Sequence, residues 1–235
     1  MAIDDLYLSL IVQTVEQIRH PDPGKQIDCL ELGYPDLLVN ADEVDQICGA
    51  QTSRTLPLRD DSDVISRWHG YKSQDGIFET HALWKSIGIR PTTIDFTEVR
   101  GGERKVDLNY PLPVDLVEAY DLIIDTGTLE HCFNVGQAFI NMCSALRDNG
   151  VAIHAAPLNR YNHGFWSFNP TLYHDFCDHN GMSVQWMRGV TRKREVIELP
   201  EFAGFKTDLE GVAIIAILRR DKVQELSFPV QRKYR

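Results

Sequence analysis

The chain has 235 residues, 43% of them hydrophobic and 25% charged, which is enough for one large domain with its own core. A formal net charge of −10 disfavours a polyanionic partner, because phosphate binding needs clustered Lys and Arg; no nucleic acid is expected, and the basic tail at 231–235 is the one feature that keeps it from being excluded. No run of about 18 apolar residues offers a membrane span, and five cysteines without a CxxC pair exclude a zinc finger and a disulfide framework, so reduced thiols and a cytoplasmic location are expected.

Apolar residues at Leu6, Leu10, Ile11, Val15 and Ile18 are spaced for a helix, which Pro21, Pro23 and Gly24 end. The run 27–33 closes on Gly33 and predicts a buried parallel strand feeding a tight turn. From 34 to 76 the periodicity is poor, and the segment is expected to be an irregular insertion or lid. A helix over 78–87 leads to strands ending in Asp95 and Asp107. The run 120–125 is the clearest strand, followed by a helix that Asp148, Asn149 and Gly150 end. Strands over 151–157, 184–187 and 212–218, with a helix over 169–179, complete a single domain of 1–235 whose core runs from 25 to 220. Strand alternating with helix predicts an α/β fold of the Rossmann-like, doubly wound kind. Its sheet would be seven-stranded and mostly parallel, with helices on both faces and an antiparallel last strand.

Ligands bind such a sheet beyond the carboxyl ends of its strands. Asp95 is placed to accept the hydrogens of a ribose diol, and Asp107 those of an adenine amine; the plain alternatives are a solvated turn acid and a turn cap before Asn109. His131 and His163 are the candidate bases, since imidazole titrates near neutrality, although His131 also suits a helix cap and His163 a loop contact. Arg160 suits an acidic substrate, and Tyr161, Phe165 and Trp166 suit an aromatic wall or simple packing.

The stretch YDLIIDTGTLEHCFNVGQAFINMCSALRDNGVAIHAAP, with DLNYPLP before it and HGFWSFNPTLYHDFCDHNGM after it, resembles class I S-adenosylmethionine-dependent methyltransferases over about residues 94–182. The resemblance implies S-adenosylmethionine as cofactor. It places Glu31 and Gly33 on the methionine side, Asp95 on the ribose, Asp107 on the adenine, and Asp125, Thr126 and Gly127 beneath the sulfonium. His131 and His163 are then catalytic, and Glu130, Arg160, Tyr161 and Trp166 face a small-molecule acceptor, a metabolite or sugar. The chain departs from the family in the first loop. Where GxGxG is usual, it has Gly33 followed by Tyr34 and Pro35, which add bulk and remove a backbone donor.

That departure supports a rival expectation, a non-catalytic protein keeping the methyltransferase shape for binding or scaffolding. Metal-assisted hydrolysis by His131, His154, His163 and His174 is a further alternative, but no HExxH or comparable spacing is present and no metal site is expected.

Overall fold

The computed structural model describes residues 2–72, 76–201, 204, 209 and 211–235. A two-residue strand, β1 (Ala2–Ile3), leads into α1 (Asp5–Arg19). Asp4 caps this helix by accepting from the Tyr7 amide, and the stripe Leu8, Ile11, Thr14 and Val15 is buried. The chain continues through β2 (Ile27–Leu32), β3 (Asp36–Leu37), α2 (Ala41–Cys48), α3 (Ser62–His69) and α4 (Thr80–Ser86). Next come β4 (Ile89–Asp95), β5 (Arg104–Lys105), β6 (Tyr120–Asp125), α5 (Val135–Ser144) and β7 (Leu146–Pro157). The chain then forms α6 (Pro170–His179), β8 (Met182–Val190), β9 (Val196–Glu198) and β10 (Ala213–Arg220).

Eight strands form one sheet in the order β5-β4-β2-β6-β7-β10-β8-β9. The five from β5 to β7 are parallel; β10 slots antiparallel between β7 and β8, and β9 runs antiparallel to β8 at the edge. The central strands β2 and β6 are almost wholly buried, as expected when helices cover both faces. Alternation then sorts their side chains. Leu30, Leu32, Ile123 and Ala152 join Phe139, Met142, Tyr173 and Phe176 of α5 and α6 in one core. Cys29, Leu122, Ile124 and Ile153 join Leu8, Ile11, Val44, Leu83 and Trp84 of α1, α2 and α4 in the other.

The α/β, doubly wound expectation is met, with three differences. The sheet has an eighth strand, β9, and β1 pairs with β3 in a small parallel ribbon of its own. Asp148, Asn149 and Gly150 do not end α5, which stops at Ser144. They form a bulge inside β7, where Asn149 takes φ 60° and the pairing with β6 shifts register. Among its described residues the segment 34–76 includes regular elements. It holds α2, closed at its start by a capping box between Asn40 and Glu43, and α3, which ends on the left-handed Gly70. This insertion separates Gly33 from α4, and the Thr80 hydroxyl donates to Pro35 O at 2.6 Å to close the gap.

Candidate functional site

The chain leaves β2 toward β4 on one side and returns through β6 to β7 on the other, so the carboxyl ends of β2 and β6 form the switch point of the sheet. Gly33 turns the chain there with φ 84°, its amide donating to Ile94 O at 2.7 Å. A cleft of 330 Å³ opens beside it, lined by Gly33, Tyr34, Asp95, Phe96, Asp107, Asn109, Gly127 and His131. This lies within the usual range for ligand pockets, roughly 300–1,000 Å³.

Asp95, the last residue of β4, and Asp107, two residues beyond β5, both face this cleft, each with one oxygen committed to its own turn. Asp95 Oδ1 accepts from the Thr97 amide at 3.0 Å, and Asp107 Oδ1 from the Asn109 amide and side chain at 2.9 and 2.7 Å. No described residue engages Oδ2 of either acid. Tyr34 lines the cleft without filling it: its phenol donates to Glu79 and its ring lies 4.8 Å from that of His81. Burial and the Glu79 carboxylate push that phenol well above its ordinary range. Glu79 also caps α4, accepting from the His81 and Ala82 amides. Although burial opposes its ionisation, these bonds hold its carboxyl below the usual range.

Asp125 lies under the cleft and is fully buried. Oδ1 accepts from the Gly127 and Thr128 amides at 3.1 and 2.8 Å, and Oδ2 pairs with His154 Nδ1 at 2.8 Å across neighbouring, registered strands. The turn so held carries Gly127, at φ 116°, and the short 3-10 turn Leu129–His131.

Gly127 and His131 also line a second cavity, of 620 Å³, on the far side of that turn. Its walls include Thr126, Glu130, Arg160 and His163, with Asp4 and Tyr7 from the chain start and Trp68 and His69 from α3. It continues into a space of 590 Å³ that adds Tyr161 and Arg192. Glu130 is 1% exposed, and its Oε1 lies 3.3 Å from His163 Nε2 and 3.9 Å from His131 Nε2. Burial, reinforced by the Asp125 charge, pushes its carboxyl up to about 8. Burial lowers the His131 and His163 imidazoles; His131 and Arg160 lower His163 further.

The sequence-predicted residues therefore divide. Gly33, Asp95, Asp107 and Gly127 meet in the smaller cleft, and Thr126, Glu130, His131, Arg160 and His163 in the larger cavity, with Tyr161 at its extension. Four residues lie elsewhere than expected. Glu31 lines neither space, because its oxygens accept from Trp84 Nε1 at 2.6 Å and Thr93 Oγ1 at 2.5 Å, with His81 Nε2 at 2.8 Å. Trp166 also lines neither; its indole donates to Cys132 O at 3.0 Å and its ring packs beside Phe133. Asp125 positions the turn rather than lining the cleft, and Thr126 lines the larger cavity rather than the smaller cleft. Tyr7 and His69 were missed, since neither carries a motif and only the folded chain brings them to the cavity. Of the histidines weighed for a metal, His154 is buried against Asp125 and His174 lies by Glu201, away from the other two.

No protein-family model matches the sequence, and no curated protein matches it. Solved structures do. The DszA carbon methyltransferase superposes with TM-score 0.51 at 9% identity, over 94% of this chain and 55% of that one. A protein assigned as a sarcosine dimethylglycine methyltransferase from Galdieria sulphuraria superposes with TM-score 0.50 at 9% identity, over 93% of this chain and 85% of that one. A 1,6-didemethyltoxoflavin-N1-methyltransferase from Burkholderia thailandensis, holding S-adenosylhomocysteine, gives 0.44 at 13% identity, over 90% and 78%. With its strand order, its antiparallel β10 and the first two of these superpositions, the chain has the fold of the class I S-adenosylmethionine-dependent methyltransferases.

Proposed function

We propose that the protein transfers a methyl group from S-adenosylmethionine to a small-molecule acceptor, a metabolite or sugar. One observation carries this reading: a cleft at the sheet switch point, lined by Gly33, Asp95 and Asp107, adjoins a larger cavity through Gly127 and His131. The residues fit the cofactor. Asp95 and Asp107 each keep an oxygen for a ribose hydroxyl or an adenine amine, and Gly33 puts no side chain against the methionine part. When bound, S-adenosylmethionine supplies a methyl on a positive sulfur, which an aligned nucleophile displaces in line.

The protein's own task is alignment, exclusion of water and receipt of a proton. Asp125 fixes the turn between the two spaces through the Gly127 and Thr128 amides. The acceptor gives up its proton at the cluster of Glu130, His131 and His163. Arg160, anchored by its Nε to Gly211 O at 3.0 Å, directs the rest of its guanidinium to an anionic part of the acceptor, with Tyr161 beside it. The net charge of −10 favours a small acceptor over nucleic acid. Among the described residues no helix is long and apolar enough to cross a membrane.

Calorimetric titration with S-adenosylhomocysteine tests the reading. Binding is expected, and Asp95→Asn should weaken it about tenfold, the loss of one hydrogen bond to a charged group. Tyr34 in the cleft wall and the donorless Pro35 favour a second reading, a binding or scaffold protein on the same fold. Absence of heat at high ligand concentration would select it.

A further inference from the structure

Glu130 and His131 stand side by side on one 3-10 turn, whereas His163 comes from the loop after β7. Their donor atoms nevertheless lie within 4.8 Å of one another. The loop is docked to produce this. The Phe165 amide donates to Glu130 O at 2.9 Å, and Trp166 Nε1 donates to Cys132 O at 3.0 Å. Gly164 lets the two segments touch: a Cβ there would come within 2.8 Å of Glu130 O and 2.9 Å of Glu130 Cγ. The second oxygen of Glu130, Oε2, is buried and accepts no hydrogen bond from any described residue. A buried carboxyl oxygen left bare is costly, so this arrangement calls for a partner that the protein does not itself supply.

We propose that Glu130, His131 and His163 bind a divalent first-row transition cation, zinc being the simplest probe, at the boundary between the two cavities. Two imidazole nitrogens with one carboxylate suit such ions, whereas magnesium and calcium prefer oxygen donors throughout. Metal bonds of about 2.0–2.2 Å require donor atoms roughly 3–3.5 Å apart. Glu130 and His163 already meet that spacing at 3.3 Å. His131, whose side chain is 51% exposed, is free to turn inward. Three protein ligands leave coordination positions open, as in catalytic rather than structural sites, and here they face the cavity walled by Tyr7 and Arg160. The binding claim stands alone; its catalytic consequence rests on the methyl-transfer reading. With the cation bound, Glu130, His131 and His163 are its ligands and no longer receive the acceptor's proton; an acceptor hydroxyl bound at an open position instead becomes more acidic and loses its proton to solvent. Its oxygen then forms the bond to the methyl carbon as the carbon–sulfur bond breaks, and the sulfonium leaves as a neutral thioether.

The test uses the untagged full chain, stripped with a chelator and titrated with zinc by calorimetry and with cobalt(II) by visible absorption. One equivalent is expected to bind. His163→Ala and Glu130→Gln should each weaken zinc by more than about a hundredfold, exceeding what loss of an outer-shell partner costs. His174→Ala, at a separate place on α6, should change nothing. Circular dichroism confirms that each variant is folded, and the half-exposed His131→Ala provides a substitution with little structural cost. No zinc binding, or binding that survives both His131→Ala and His163→Ala, would overturn the proposal. S-adenosylhomocysteine is titrated into the stripped protein separately. Failure there with zinc binding intact removes the methyl-transfer reading and leaves the cation site, whereas the reverse pattern removes only the cation site.

Discussion

Glu31 shows how a residue can sit at a meaningful position yet serve another end. It closes the first core strand, as the resemblance requires, but α4 places Trp84 against one oxygen and β4 places Thr93 against the other, so it knits helix to sheet. His81 completes this knot. Burial works against its imidazolium, yet the bond to Glu31 and the charges of Glu31 and Glu79 outweigh burial and raise it above 6.5. A raised folded-state value means that this contribution is fully present below pH 6.5 and is lost as the pH climbs through the higher folded value. Urea midpoints measured across pH 5.5 to 9 should therefore fall less steeply for His81→Gln than for the natural protein, with the two converging at the alkaline end. The difference at low pH is expected to stay below about 1 kcal/mol, because the pair is partly solvated. Parallel curves would mean that His81 titrates no differently in the folded and unfolded chains.

At the scale of elements, the loop after β7 can lie against Glu130 because Gly164 carries no side chain. Gly164→Ala should force it off Glu130 and cost about 1–3 kcal/mol by denaturation midpoint, with faster proteolysis of 159–168. Gly24→Ala, whose added carbon would meet only Asp22 Oδ1 at 3.7 Å, is the matched control. Equal effects of the two would show that close packing at Gly164 has no importance. The elements themselves differed in how openly the sequence announced them. The run 120–125 is unbroken and apolar because it is covered on both faces, and the acids after β4 and β5 stood out because strand ends are where ligands gather. By contrast, α2 and α3 bury only Val44 and Ile65 respectively among their residues, too little to leave a periodic trace. Asn40 and Glu43 did spell a capping box, and that pattern was the one available sign of a helix in the insertion. Trp166 was misplaced because an aromatic residue in a loop does not declare which side it packs against. Tyr7 and His69 reach the cavity only through the folding of distant segments.

Across the whole molecule, the two ends of the sheet have been given different work. At the amino ends, Lys25 and Arg147 share Asp121 while Arg90 and Arg147 meet Asp28, tying β2, β4, β6 and β7 together with charges. At the carboxyl ends the strands part around two cavities. One sheet separates two hydrophobic cores, and β2, β6 and β7 contribute to both, so neither core can be lost alone. A single unfolding transition is expected, with tryptophan fluorescence and far-ultraviolet circular dichroism superimposing. A separate early step would mean that the insertion carrying α2 and α3 folds as its own unit. The cap on α4 has an effect beyond holding that helix. In phosphate-binding relatives of this architecture, the first amides of the corresponding helix greet the ligand's negative charge. Here Glu79 already occupies the His81 and Ala82 amides, and it remains ionised while doing so. A phosphate seeking those amides would find them already taken by a resident anion.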